Sequence, residues 1–303
     1  MAKWIGVLTA EHIAIGLVED HRVVGEVRVF PKDEHEADEL LGMPSDELIR
    51  YLADHIAAVA QGEQIAGVGL GFPGIVREGR LEESPNLRQM KGTDLQTHLG
   101  NALAERLGRS VPVSVLNDAD AIAAGIAATF GHLDRVIRVW TLGNGIGYGR
   151  YPWQEGVWEG GHTVVSLDPK EVYCGCGGAG HLESIMGHRA MRLRFLDLEP
   201  DEVFAEAKAG DARCREFVKL WHRALAAATA SSVHTTGPGR FFVTGRNARY
   251  VDLSLLQEYL HDMVKMSPLQ GASFQVVPTG DEVGIIGAAV TAEQFTAATA
   301  KTA

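Results

Sequence analysis

Cysteine is scarce in this chain, with only three residues, at positions 174, 176 and 214, among 303. So small and odd a number excludes a disulfide-stapled scaffold, and a Cys-x-Cys pair is too closely spaced for a comfortable bridge. Basic clusters are missing too. Lys and Arg total 28 against 39 Asp and Glu, a net charge of −11. A nucleic-acid surface needs a dense positive footprint, so DNA and RNA are excluded as partners. No run of eighteen apolar residues occurs, and the opening Met1-Ala2-Lys3-Trp4-Ile5 lacks the apolar stretch of a signal peptide. The expectation is a cytoplasmic protein without a membrane partner. The chain opens directly on a strand-like run, with no helix-turn-helix before it, which disfavours a repressor.

What is present is glycine, 35 residues, and an apolar content of 46% spread over short runs. The chain is too long for one small core and suits two lobes. Trp4 to Leu8, Ile13 to Val18 and Arg22 to Phe30 are short, β-branched and bounded by turn residues, which predicts an antiparallel meander. Ser45, with Asp46 and Glu47 behind it, marks the start of a helix carrying Leu48, Leu52, Ile56 and Val59 on one face. Strands follow at 64–71 and 111–116, with helices at 95–107 and from Asp118 onward. A second series of the same kind has strands at 135–142, 145–150, 240–244 and 273–277. Its helices fall at 182–195, 213–234, 253–266 and 283–296, and Cys214 reads as a buried small residue on the second of them. Two series of this kind predict an α/β fold of two lobes with a cleft between them.

The densest chemistry lies between Glu159 and Glu183. His162, Cys174, Cys176 and His181 are four N or S donors in a Gly-rich loop. A structural zinc site needs that inventory: four such ligands, tetrahedral, with no position left open for water. The spacing is not that of a standard zinc finger, and a lone histidine is more often a hydrogen-bonded structural residue. Two histidines and two cysteines in one glycine-rich stretch weigh toward the metal.

Several further stretches stand in a fixed order: Gly71-Phe72-Pro73-Gly74-Ile75-Val76, Ser84-Pro85-Asn86-Leu87, Leu116-Asn117-Asp118-Ala119-Asp120-Ala121 and Thr141-Leu142-Gly143-Asn144-Gly145-Ile146-Gly147. They are followed by Glu159-Gly160-Gly161-His162, the cysteine loop and Gly284-Ile285-Ile286-Gly287-Ala288-Ala289. Over nearly the whole chain this order resembles the ROK family of bacterial sugar kinases and sugar-responsive repressors. The resemblance implies a two-lobed actin-like, ribonuclease H-like sugar-kinase fold. Residues 1–117 with 284–303 would form a small lobe, and 118–283 a large one. It implies a hexose or N-acetylhexosamine substrate, ATP with Mg2+ as phosphoryl donor, structural zinc, and a homodimer or higher homo-oligomer. Asp118 would be the base that accepts the proton of the attacking hydroxyl. Asn86, Asn117, Glu159, His162 and Glu183 would hold the sugar, with His162 also a zinc ligand. Thr9, Gly143, Asn144, Gly145 and Gly245 would lie on the nucleotide side.

The chemistry suits the residues. Phosphoryl transfer asks a protein mainly for positioning, charge stabilisation and one carboxylate at the nucleophile. Standing alone, Asn117 or Asp118 at a strand-to-helix junction would more simply cap the helix.

Three departures from the family pattern fall on the nucleotide side. The first phosphate turn reads Leu8-Thr9-Ala10-Glu11-His12, with neither glycine nor the family's Asp. Asn144 stands where the family has Thr, and Thr244-Gly245-Arg246-Asn247-Ala248 replaces a run of glycines. His181 replaces a third metal cysteine. Three functions remain open: a sugar kinase, a catalytically silent sugar-binding or sensing protein, and a protein using a different phosphate donor or carrying out another sugar reaction.

Overall fold

The computed structural model describes residues 2–10, 12–31, 38–278 and 280–302. Glu11, in the first phosphate turn, lies outside the described residues. The chain divides into two compact units. One comprises Met1–Ile137, Gly149–Val157 and Gly280–Ala303, and the other Arg138–Tyr148 and Trp158–Thr279.

The first unit is built on a five-stranded sheet. β1 (Lys3–Thr9), β2 (Ile13–Glu19) and β3 (Arg22–Phe30) form the antiparallel meander, and β4 (Ile65–Phe72) and β7 (Val113–Asn117) extend it in parallel, in the order β3-β2-β1-β4-β7. Between β4 and β7 the chain makes a small hairpin of β5 (Ile75–Arg77) and β6 (Arg80–Glu83). Side chains alternate across a strand, so β1 serves two cores. Ile5 and Val7 pack with Leu48, Leu52 and Ile56 of α2 (Ser45–Ala60) and Leu99 and Leu103 of α3 (Leu95–Leu107). Trp4 and Leu8 pack on the other side with Ile285, Ala289 and Ala292 of α10 (Asp281–Thr302). A short helix, α1 (Asp38–Gly42), precedes α2, and α4 (Asp118–Thr129) follows β7 directly.

Glycine sets how closely α4 and α10 approach. A Cβ added to Gly125 would fall far inside van der Waals contact of the Val283 carbonyl, and one on Gly287 likewise against the Ala121 carbonyl. Both obstructions are backbone, so neither helix can yield by turning a side chain. Gly125→Ala is therefore expected to cost about 3 kcal/mol despite alanine's better helix propensity, a Tm fall of about 5 °C. A thermal melt checks this; an unchanged or raised Tm would contradict the packing.

The second unit holds a four-stranded sheet in the order β11-β10-β8-β9. β8 (Ile137–Leu142) and β11 (Ser273–Val276) both pair in parallel with β10 (Arg240–Thr244), and β9 (Ile146–Tyr151) enters the sheet beside β8. Trp140, Leu142, Phe241 and Val243 pack with Phe217, Trp221 and Leu225 of α8 (Ala212–Thr236). The buried Trp140 indole donates to Thr229 Oγ1 at 3.0 Å. Cys214 is buried on α8. His222 is fully buried there too: its Nδ1 donates to the Val218 carbonyl at 2.8 Å, and its Nε2 accepts from Asp252 N at 2.9 Å, at the head of α9 (Leu253–Met263). Burial holds this ring below the usual histidine range, and the accepting Nε2 requires it neutral.

Three local readings differ from the sequence expectation. The helix expected over 182–195 is two, α5 (Leu182–Met186) and α6 (His188–Arg194), parted at Gly187. A Cβ there would meet both the Asn144 and Glu183 carbonyls at 2.9 Å. α2 does start at Ser45, as expected, with Pro44 in the N-cap position. α7 (Pro200–Ala209) was passed over, although Glu199 and Glu202 form a capping box around a proline at its start. The division expected after Asn117 leaves α4 apart from residues with which it packs; its glycine contact with α10 keeps it in the first unit. Among the described residues no helix is long and apolar enough to cross a membrane.

Candidate functional site

The second unit brings together His162, Cys174, Cys176 and His181. His162 ends a single 3-10 turn, Gly160–His162, whose glycines let it lie against β9. A Cβ on Gly161 would overlap the Ile146 carbonyl, and one on Gly160 would come within 2.5 Å of the Tyr148 side chain. The chain then pairs with the 180–182 segment: Val165 N donates to Gly180 O at 2.8 Å and Leu182 N to Thr163 O at 2.9 Å. That pairing stacks the His162 and His181 rings 5.1 Å apart. Between them Cys174 and Cys176 occupy a turn closed by Gly177 N donating to Cys174 O at 3.1 Å, with Gly177 in the left-handed region at φ +81.

The donor atoms of these four residues lie within 4.8 Å of one another. The two sulfurs are 3.4 Å apart, too far for a disulfide, and Cys176 Sγ is 3.3 Å from His181 Nδ1. Ligands of a tetrahedral zinc ion at ordinary bond lengths stand about 3.4–3.8 Å from one another. The set fits a closed tetrahedral dication site with two thiolates and two imidazoles. Gly178 N donates to Cys176 Sγ at 3.3 Å, a further contact that fixes the sulfur in the turn. Burial, with the Glu183 carboxylate nearby, pushes the bare Cys174 thiol up, so binding a dication there must displace a proton.

Glu183, the second residue of α5, meets two loops. Its Oε1 accepts from Gly175 N and from Cys174 Sγ, both at 3.3 Å, and its Oε2 accepts from Ile146 N at 3.1 Å. Glu159 precedes the 3-10 turn, with its carboxylate 4.0 Å from His162 Nδ1. From below, the buried Glu171 pairs with Arg194, whose guanidinium lies 4.8 Å over the Tyr173 ring.

In the first unit β7 runs straight into α4. Asn117 is the N-cap: its Oδ1 accepts from Ala119 N at 2.9 Å and its Nδ2 donates to Gly74 O at 2.9 Å. Capping therefore belongs to Asn117, and Asp118 opens the first helical turn, half-buried. Asn86 is exposed in the loop after β6. A residue of the same stretch to which sequence reading gave no role stands close by. Asp120 is 7% exposed and accepts from Arg150 N at 2.8 Å. Burial raises its carboxyl to about 7, with the Asp118 charge adding and the Arg150 N–H opposing. Its signal was faint, a third acidic or amide residue within one helical turn.

The residues of the expected nucleotide side divide between the units. In the first, Thr9 is buried and its Oγ1 has no hydrogen-bond partner among the described residues. His12 Nε2 lies 2.8 Å from Asp281 Oδ1, placing a carboxylate beside a turn that has no glycine. That arrangement does not fit a backbone phosphate cradle. In the second, Gly143 and Gly145 frame a tight turn with Asn144 exposed at its tip, Gly143 N donating to Gly145 O at 3.0 Å. Gly245 has φ +96, and a Cβ on it would lie 2.5 Å from Leu142 O. The fully buried Asn247 was another omission. Its Nδ2 donates to Gly143 O at 3.2 Å, which turns its Oδ1 toward His188 Nδ1, also at 3.2 Å. His188 N donates to the same Gly143 carbonyl at 3.0 Å. Burial, with Arg246 and Arg192 nearby, holds His188 below the usual histidine range.

Comparison with known proteins places this geometry. The model of the ROK family matches residues 10–295. The chain is 28% identical to a glucokinase from Thermotoga maritima, over 95% of this chain and 96% of that protein. It is 30% identical to a glucokinase from Pyrobaculum calidifontis, over 78% and 82%. The crystal structure of a ROK hexokinase from Thermus thermophilus superposes with a TM-score of 0.75 at 24% identity, covering 97% of this chain and 99% of that one. The likeness carries the fold, which is the actin-like α/β fold of these sugar kinases.

Proposed function

We propose, from the premise that the chain belongs to the ROK family, that this sugar-kinase-like protein transfers the γ-phosphoryl group of ATP to a hydroxyl of a hexose or N-acetylhexosamine. Asp118 accepts the hydroxyl proton as the sugar oxygen bonds to the γ-phosphorus and the bond to the β–γ bridging oxygen breaks, releasing ADP. Asn86, Asn117, Glu159, His162 and Glu183 bracket the remaining hydroxyls, since amides and carboxylates match adjacent donor–acceptor pairs. His162, Cys174, Cys176 and His181 would hold zinc, which supplies no chemistry to the reaction and closes the loop that presents Glu159 and Glu183. Gly143, Asn144, Gly145 and Gly245 serve the donor, and magnesium accompanies ATP.

One observation carries the reading. Asn117 performs the capping that an Asp at such a junction would otherwise explain, in a chain that also gathers the four metal donors. The two relatives named glucokinase support a hexose acceptor.

A second reading is favoured by a specific feature: Thr9 sits in a turn without glycine, and the His12–Asp281 pair sets a carboxylate beside it. Under that reading the protein binds and senses a sugar without turning over ATP. Purified protein with ATP, Mg2+ and a panel of hexoses and N-acetylhexosamines separates the two. The kinase reading expects ADP release that depends on one sugar. Heat of sugar binding in calorimetry with no ADP release would establish the sensor instead.

A further inference from the structure

Glu183 has a task beyond holding a ligand. We propose that its carboxylate is a latch between the metal loop and the turn at residues 143–146, so that order in the metal loop fixes that turn; this rests on reading His162, Cys174, Cys176 and His181 as a metal site. The two carboxylate oxygens divide the work. Oε1 takes Gly175 N and Cys174 Sγ at 3.3 Å from the metal loop, and Oε2 takes Ile146 N at 3.1 Å from the end of the turn. The connection is also covalent and short, because Glu183 lies two residues after His181, one of the four donors. A displaced His181 therefore moves the start of α5 and the carboxylate on it.

The turn has been shaped around this group. A Cβ on Gly145 would lie 2.5 Å from Glu183 Oε2, so any larger residue there would push the carboxylate away. Within the turn Gly143 N donates to Gly145 O, and the hydrogen bonds from His188 N and Asn247 Nδ2 fall on Gly143 O at its opposite end. Among the described residues Glu183 is a side chain that ties the Ile146 end, and a charge-assisted hydrogen bond is about twice as strong as a neutral one. Coupling of this kind is reciprocal: strain introduced at the turn loosens the metal loop as well. Glu183 is accordingly a positioning residue for residues 143–146.

Hydrogen exchange read by mass spectrometry tests this, with peptides covering 143–148 and 172–182 and a β4 peptide as a control for global unfolding. Zinc-loaded and chelated protein are compared for the native chain, Glu183→Gln and Gly145→Ala. Glutamine keeps the shape but only one acceptor oxygen. In the native chain, chelation should speed exchange about tenfold in both segments. In zinc-loaded Glu183→Gln the 143–148 segment should already exchange fast, and chelation should add nothing there. Gly145→Ala should release zinc to a chelator several times faster than the native chain. The latch is overturned if chelation loosens 172–182 and leaves 143–148 protected, or if Glu183→Gln leaves 143–148 as slow as in the native chain. Absence of metal in freshly purified protein would sink the metal reading separately. Glu183→Gln against the native chain would then still decide whether the carboxylate holds the turn.

Discussion

Asp118→Asn is expected to lower kcat by about 10²- to 10⁴-fold, the worth of a positioned general base, while leaving the fold, the metal content and sugar affinity nearly intact. The substitution keeps the size of the side chain and removes only the carboxylate. α4 keeps its cap, because Asn117 Oδ1 is the acceptor for Ala119 N. The lost negative charge in the first turn costs about 0.3–1 kcal/mol against the helix dipole. A partial offset comes from Asp120, whose buried carboxyl is raised in part by the Asp118 charge and is relieved when that charge is gone. Steady-state ADP production gives kcat, and calorimetry with the same sugar gives the affinity. A kcat within a factor of ten of the native value would remove Asp118 from the role of base.

Cys176→Ser should strip the metal. Serine's hydroxyl is a poor ligand for a borderline-soft dication compared with a thiolate, and the remaining three donors leave a tetrahedral site open. Metal content should fall from about one ion per chain to near zero, since a structural site of this kind has four protein ligands. Sugar affinity should weaken about 10- to 100-fold, the range found when partners of metal ligands are removed. Affinity is lost because the loop that carries Glu183 is fixed through Cys174 and Gly175, within the same turn as Cys176. α8 and its packing lie outside that turn, so the helical circular-dichroism signal should persist. Full metal content in the variant, or unchanged sugar affinity without the metal, would contradict the staple.

Much of this architecture was legible in the sequence because it rests on local rules. β2, β3 and α3 were found nearly to the residue, since their alternation or helical period is uninterrupted and their ends carry turn residues. The four candidate metal donors stood out by residue type within one loop. What escaped reading depends on contacts distant in sequence. At the break, Gly187 lies against the Asn144 carbonyl, more than forty residues earlier, where a Cβ would not fit. Asn247 reads as one polar residue in an altered turn until Gly143 and His188 are placed beside it. Asp120 gains its raised carboxyl from burial beside Arg150, which no spacing reveals. Asn117 and Asp118 were equal candidates for the helix cap, and only the direction of the Asn117 amide separates them. The latch at Glu183 was hidden behind its resemblance to a sugar contact.

The most direct test of the central claim is phosphorus NMR of the native protein incubated with ATP, Mg2+ and each sugar of the panel, with Asp118→Asn in parallel. The account predicts a new phosphomonoester resonance and a matching loss of the γ-phosphate signal with at least one hexose or N-acetylhexosamine, and neither change with Asp118→Asn. An unaltered ATP spectrum with every sugar, from protein that calorimetry shows binding one of them, would contradict it.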